Sequence, residues 1–295
     1  MAGGWIEGLY GKRLKSLEEI FGVKKPIIGM VHLMPLPGSP GYGGYGMDAI
    51  VDQALRDARA LVEGGVDGVM VENMWDLPYY AADRIPIEEI AAQTVAAREV
   101  AKAVDVPMGV NVVHNGGRAT LSIALASGAK FIRVCAYTGA LVWDTGEFDR
   151  GVAADLMRLR KELGAGHIKI FADVCKKHAA MFPGIDLGTH VTWTDFYLAD
   201  AIVVTGKMTG APPSLREVRA VKRMTPHCPV LVGSGANKGN IAKFLRYADG
   251  AIVGTSLKEG GVTQNPVSLQ RVREFMDVVR SVRSKVGRRS QGHRS

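Results

Sequence analysis

PIIGMVHLMPLPGSPGYGG, residues 26–44, decides between the two folds that alternate strands with helices. Ile27 to Val31 is an apolar run of strand length. His32 ends it, and prolines and glycines then stop either kind of regular structure. In an open, doubly wound sheet the turn after the first strand carries a glycine-rich dinucleotide fingerprint. HLMPLPG has none, so a closed barrel is the better reading.

Seven more short apolar or β-branched runs follow at 68–73, 108–113, 131–136, 168–174, 201–206, 229–234 and 250–256. Eight strands separated by helical patterns are what a single (β/α)8 TIM barrel requires. Helices are expected from Asp48, as cap, to Glu63, from Pro86 to about Val104, and near 117–127, 151–163, 190–199, 214–223, 238–247 and 266–285. The expected domain is 26–286, preceded by a 1–25 extension with a short helix near 12–21 and followed by a disordered basic tail, 287–295.

Composition agrees. The chain has 295 residues, 47% hydrophobic and 22% charged, enough to bury a core. Of the formal +8, much sits in the last twenty residues, where Arg280, Arg283, Lys285, Arg288, Arg289 and Arg294 face only Asp277. A solvated helix end accounts for this charge, and no nucleic-acid partner is expected. Three separated cysteines encode neither a disulfide framework nor a zinc ribbon, which fits a reducing cytoplasm. No run reaches the ~18 apolar residues of a membrane span.

Barrels of this type place their sites at the C-terminal strand ends. His32 stands there, and imidazole exchanges protons near neutrality. Glu72 and Asn73 end the second strand, Asn111 leads to His114 and Asn115, Arg133 lies on the fourth, and Asp173 precedes Lys176, Lys177 and His178. His32, Glu72, Asn111, Arg133 and Asp173 are therefore the expected catalytic set, with either carboxylate as base, His32 as acid and Arg133 stabilising negative charge. Asn73, Asn115, Lys176, His178, Thr205 and Gly206 are expected to contact substrate. Alternation also turns Lys169 inward, below Asp173, as an ion-pair partner. No cofactor is encoded. His32, Glu72 and Asp173 suit a divalent metal, although no close HxH or HExxH pair supports one.

VGSGANKGN (232–240) and VGTSLKEGG (253–261) follow strands seven and eight, whose loops form the recurrent phosphate site of this fold. Gly233, Gly235 and Gly254 permit close approach of amides, and Ser234, Thr255 and Ser256 supply hydroxyls. The expected ligand is a small phosphorylated molecule, bound by a homo-oligomer. The glycine-tyrosine loop 35–46 reads as a lid.

Through IGMVHLMPLPGSP, VENMWDLPY, GVNVVHN, FADVCKKHA, VTGKMTG, VGSGANKGNI and ADGAIVGTSLK, the chain resembles the BtpA/SgcQ family of predicted TIM-barrel proteins over roughly 26–280. The resemblance implies the barrel fold. It also implies an alternative role, since photosynthetic members are associated with photosystem I biogenesis: a non-catalytic assembly or stability factor. His114-Asn115-Gly116 stands where the family more often has Arg-Asn-Asp, and Cys175 where it has histidine.

Overall fold

The computed structural model describes residues 13–175 and 177–291. Helix α1 (Ser16–Phe21) precedes β1 (Ile27–His32), α2 (Gly46–Glu63), β2 (Gly68–Glu72), α3 (Ile87–Ala103), β3 (Met108–Asn111), α4 (Gly117–Ser127) and β4 (Phe131–Val134). A hairpin, β5 (Ala140–Trp143) and β6 (Phe148–Arg150), comes before α5 (Ala153–Glu162) and β7 (Lys169–Val174). Strand β8 (Ala179–Met181) is followed by α6 (Leu187–Phe196), β9 (Ala201–Val204), α7 (Leu215–Met224), β10 (Val230–Val232), α8 (Ile241–Phe244), β11 (Gly250–Val253) and α9 (Leu269–Gln291).

Strands β1, β11, β10, β9, β7, β4, β3 and β2 close in that order into a parallel barrel. All eight expected strands are present, most of them one to three residues shorter at their C-terminal ends, where the chain leaves the ladder to build loops. Three helix expectations need correction. The last helix runs on to Gln291, into the tail read as disordered from 287. Asp48 lies in the first turn of α2 rather than capping it, and the 238–247 helix contracts to Ile241–Phe244. Where local capping chemistry is strong, the starts are sharp: Ser214 and Glu217 form a reciprocal capping box on α7, and Asp186 accepts from the Thr189 amide on α6.

A larger correction is the antiparallel sheet β6–β5–β8, which lies outside the barrel ladder. Its signal was local: Ala140 to Trp143, the turn residues Asp144 to Gly146, and a second short run make a hairpin pattern.

Inside the barrel, alternate residues meet. Ile28, Met30, Met70, Phe131, Phe171, Val203, Leu231 and Ile252 form the inner core, and α1 stops its lower end with Leu17 and Phe21. Phe21 meets Phe131 edge-on at 5.4 Å, and Phe131 stacks on Phe171 at 4.8 Å. Lys169 is an ion-pair partner as expected, half-buried and 3.3 Å from Glu19 of α1. Arg13 fastens the start of the described chain by bonding the carbonyls of Asp195 and Ala199.

Gly109 makes this packing fit. A Cβ there would stand 2.1 Å from the Phe131 ring, whose neighbours above and below leave it no room to retreat. Gly109→Ala is therefore expected to cost about 1–3 kcal/mol as an overpacked core, read as a lower urea midpoint at unchanged slope.

Candidate functional site

Register brings the mouth of the barrel together. His32 pairs with Glu72 across β1 and β2, and Glu72 with Asn111 across β2 and β3. Partners in a parallel ladder face the same side, so three expected catalytic residues form one inward row. Asn111 Nδ2 donates to Glu72 Oε2 at 2.5 Å, and His32 Nε2 lies 3.8 Å from Glu72 Oε1, near but beyond hydrogen-bond range.

Arg133 and Asp173 complete the floor. The guanidinium donates from Nε and Nη2 to the two Asp173 oxygens at 2.8 and 2.9 Å, while Nη1 lies 3.9 Å from Glu72 Oε2. Burial opposes the charged guanidinium, yet the bonded Asp173 carboxylate and the nearby Glu72 hold its pKa above the ordinary value. Arg133 thus stands among the acidic groups. Among the described residues no group of three His, Cys, Asp or Glu is placed to hold a metal, so the ligand trio read from His32, Glu72 and Asp173 is not assembled.

His32 is 7% exposed, and burial pushes its imidazole down to about 3. The neutral ring is therefore the resting form at neutral pH. Its Nδ1 has no hydrogen-bond partner among the described residues. His32 borders a cavity of about 290 Å³ that Gln53, Trp75 and Lys258 also line. Lys258 is itself held by Asp57 at 2.5 Å.

The larger chamber, about 600 Å³, opens over Glu72. Its wall includes three rings: His114 lies flat on Trp143 with centroids 3.9 Å apart, and Tyr79 tilts against His114 at 4.7 Å. Trp143 comes from the extra sheet, where its indole donates to Asp149 at 2.8 Å. Lys177 and His178 stand at the rim. A groove of about 590 Å³ on the flank, near Arg118 and Phe148, lies away from the strand-end row.

Of the six expected substrate contacts, His178 lines the chamber, and Lys176 lies outside the described residues. The others tie loops together. Asn73 accepts from the Val113 amide and donates to Asp76, Asn115 accepts from the Ala136 amide, Thr205 accepts from the Lys177 amide, and the Gly206 amide donates to Ser234. Loop 35–46, read as a lid, is fastened as well. The Leu36 amide donates to Asp76, whose carboxyl burial raises to about 6, and the Tyr45 hydroxyl donates to the Pro35 carbonyl.

The glycines of the seventh and eighth loops divide by role. Gly233 makes room for Arg133 and Val203, and Gly254 for His32, where added Cβ atoms would come within 3.3, 2.4 and 3.1 Å respectively. Gly235, at φ 65°, packs against the backbone of 211–212. Ser234 donates to the Ala211 carbonyl, Ser256 to the Ala236 carbonyl, and Thr255 bonds Thr263, so all three hydroxyls are engaged. The amides of Gly235, Thr255 and Ser256 meet no acceptor among the described residues.

Fold and site together define a (β/α)8 barrel with a buried ionic row, whose Glu72 lines a chamber of about 600 Å³. The chain belongs to the BtpA family, whose model matches residues 23–281. It is 44% identical to an uncharacterized protein of Pyrococcus abyssi over 88% of this chain and 97% of that one. It is 38% identical to the photosystem I biogenesis protein BtpA of Synechocystis over 90% and 91%. Among solved structures, N-(5'-phosphoribosyl)anthranilate isomerase from Pyrococcus furiosus superposes with a TM-score of 0.53 at 15% identity, over 87% of this chain and 99% of that one, which shows a shared fold. Among the described residues no helix is long and apolar enough to cross a membrane.

The displaced His32 equilibrium carries a sign. An unfolded histidine takes up its proton near 6.5, but this one only near 3, so between those values the unfolded state binds more protons. Its contribution to stability is complete above 6.5 and is lost as pH falls toward 3. His32→Gln lacks that loss. The difference in unfolding free energy between wild type and variant should change with pH by up to about 1.4 kcal/mol per unit between pH 6 and 4, and stay level above pH 7. Paired urea titrations measure it.

Proposed function

We propose that this chain is an enzyme acting by acid–base chemistry on a small phosphorylated metabolite held in the chamber over Glu72. The observation that carries the reading is the buried Glu72–Asn111 and Arg133–Asp173 arrangement, whose Glu72 lines that chamber. Removing ionic groups from water is costly, and a well-packed apolar core would be as stable or more so, which favours a use beyond stability.

The roles follow from the contacts. Glu72 is the exchanging carboxylate, because it reaches the chamber, whereas both Asp173 oxygens bond Arg133. Asn111 orients Glu72. Arg133 supplies positive charge beside it, and Asp173 positions Arg133. Neutral His32 stands beside Glu72 and faces the smaller cavity of about 290 Å³ rather than the chamber.

The amides of Gly235, Thr255 and Ser256 are the proposed phosphate contacts, with Lys177 as a further cation. Their position after the seventh and eighth barrel strands supports this assignment. The name of the Synechocystis relative supports a second reading, a non-catalytic assembly factor. Catalysis and assembly separate on turnover, since an assembly factor need only bind.

A panel of phosphorylated metabolites, assayed for loss of substrate by mass spectrometry, tests the proposal. Turnover of one member is expected, lowered roughly 10²–10⁴-fold in Glu72→Gln without loss of the folded state. Turnover that survives Glu72→Gln would remove Glu72 from the chemistry. Sulfate soaked into crystals is expected at the amides of Gly235 and Thr255, and amides turned from a common centre would remove the phosphate contact.

A further inference from the structure

Three loops meet at the chamber rim around His178. Its backbone is held from two sides: its amide donates to the Lys207 carbonyl at 3.3 Å, and its carbonyl accepts from the Asp144 amide at 3.0 Å. The residue sits at φ 62°, a left-handed conformation that costs a non-glycine residue energy and persists only where the surroundings enforce it. Here they aim the ring.

His178 Nδ1 lies 3.0 Å from Asp144 Oδ2, and Nε2 lies 3.0 Å from Thr209 Oγ1 and 3.2 Å from the Thr209 amide nitrogen. An amide can only donate, so Nε2 is the acceptor and the ring proton resides on Nδ1, directed at Asp144. Lys177 Nζ donates to Thr209 Oγ1 at 3.2 Å, which turns the hydroxyl proton toward Nε2. All the bonds then run one way: ammonium to hydroxyl, hydroxyl to imidazole, imidazole to carboxylate. A solvent-facing contact of this kind adds little stability, whereas a hydroxyl whose base is oriented by a third group is the arrangement of an activated oxygen.

We propose that Thr209 Oγ1 is a catalytic hydroxyl, activated by His178 as its base, with Asp144 and Lys177 as positioning residues. The proposal rests on the chamber being the substrate site and adds a second proton-transfer group to the lining that Glu72 shares. As a substrate X–H bond breaks, the proton forms a bond to Oγ1, the hydroxyl's own proton moves to Nε2, and Asp144 balances the imidazolium. The reverse transfer returns a proton to a different substrate atom. No oxidant, reductant or further reactant is needed.

An activated hydroxyl also attacks simple esters, so p-nitrophenyl acetate reads the relay without the natural substrate. The acetyl group passes to Oγ1, the Thr209 proton to Nε2, and p-nitrophenolate leaves. Peptide mass spectrometry of the full chain is expected to place acetyl on residue 209 in the wild type and in Thr209→Ser. It should be absent from that residue in Thr209→Val, and form at least tenfold more slowly in His178→Gln. Thr209→Ser keeps the measurement valid if the valine variant fails to fold. Acetylation confined to lysines, Lys177 included, or an unchanged rate at Thr209 in His178→Gln would overturn the relay. Acetylation at Thr209 with no metabolite turned over would instead overturn the chamber's assignment, so the two failures are distinct.

Discussion

The bidentate pair between Arg133 and Asp173 is the constraint around which the barrel mouth is arranged. Neither group is exposed enough to find water, so each needs the other, and removing one partner of such a pair commonly costs about 3–5 kcal/mol. The guanidinium also requires space, which Gly233 leaves on the facing wall. Its remaining nitrogen approaches Glu72, which takes a hydrogen bond from Asn111 and lies beside His32. From one buried cation the whole row acquires its geometry.

Above that floor, the loops are held by side chains that a functional reading would assign to ligand. Asn73 joins the loops after β2 and β3, Asn115 joins those after β3 and β4, and Ser234 joins those after β9 and β10. Each polar atom meets a backbone group that would otherwise be buried and unsatisfied. The lower end is stopped by Leu17 and Phe21, leaving the upper end as the open mouth of the barrel. The fold thus has one apolar end and one polar end, and the polar end divides between groups that fasten loops and groups that face the chamber.

The added sheet gives the chamber its character. Trp143 reaches across from β5 to cover His114, so an aromatic wall faces the charged floor. The chamber is thus lined by aromatic rings and by the Glu72 carboxylate. This is the combination by which pockets gain affinity from area and orientation from a few polar groups.

The sequence by itself determined the eight-stranded barrel and the polarity of its mouth. Apolar runs of strand length and the helical spacing between them are local patterns, and His32, Glu72, Asn111, Arg133 and Asp173 lie at or near the ends of such runs. Period-two alternation placed Lys169 inward. Tertiary structure alone decided which of these groups meet. Glu72 and Asn111 are 39 residues apart and Arg133 and Asp173 are 40 apart, so their contacts depend on register and closure, which no local pattern specifies. For the same reason the loop-tying bonds of Asn73, Asn115 and Thr205 were out of reach: a polar residue at a strand end looks identical in sequence whether or not it meets a neighbouring loop's amide. The neutral state of His32 was equally out of reach, because burial is set by the surrounding barrel and not by the residues beside it in the chain.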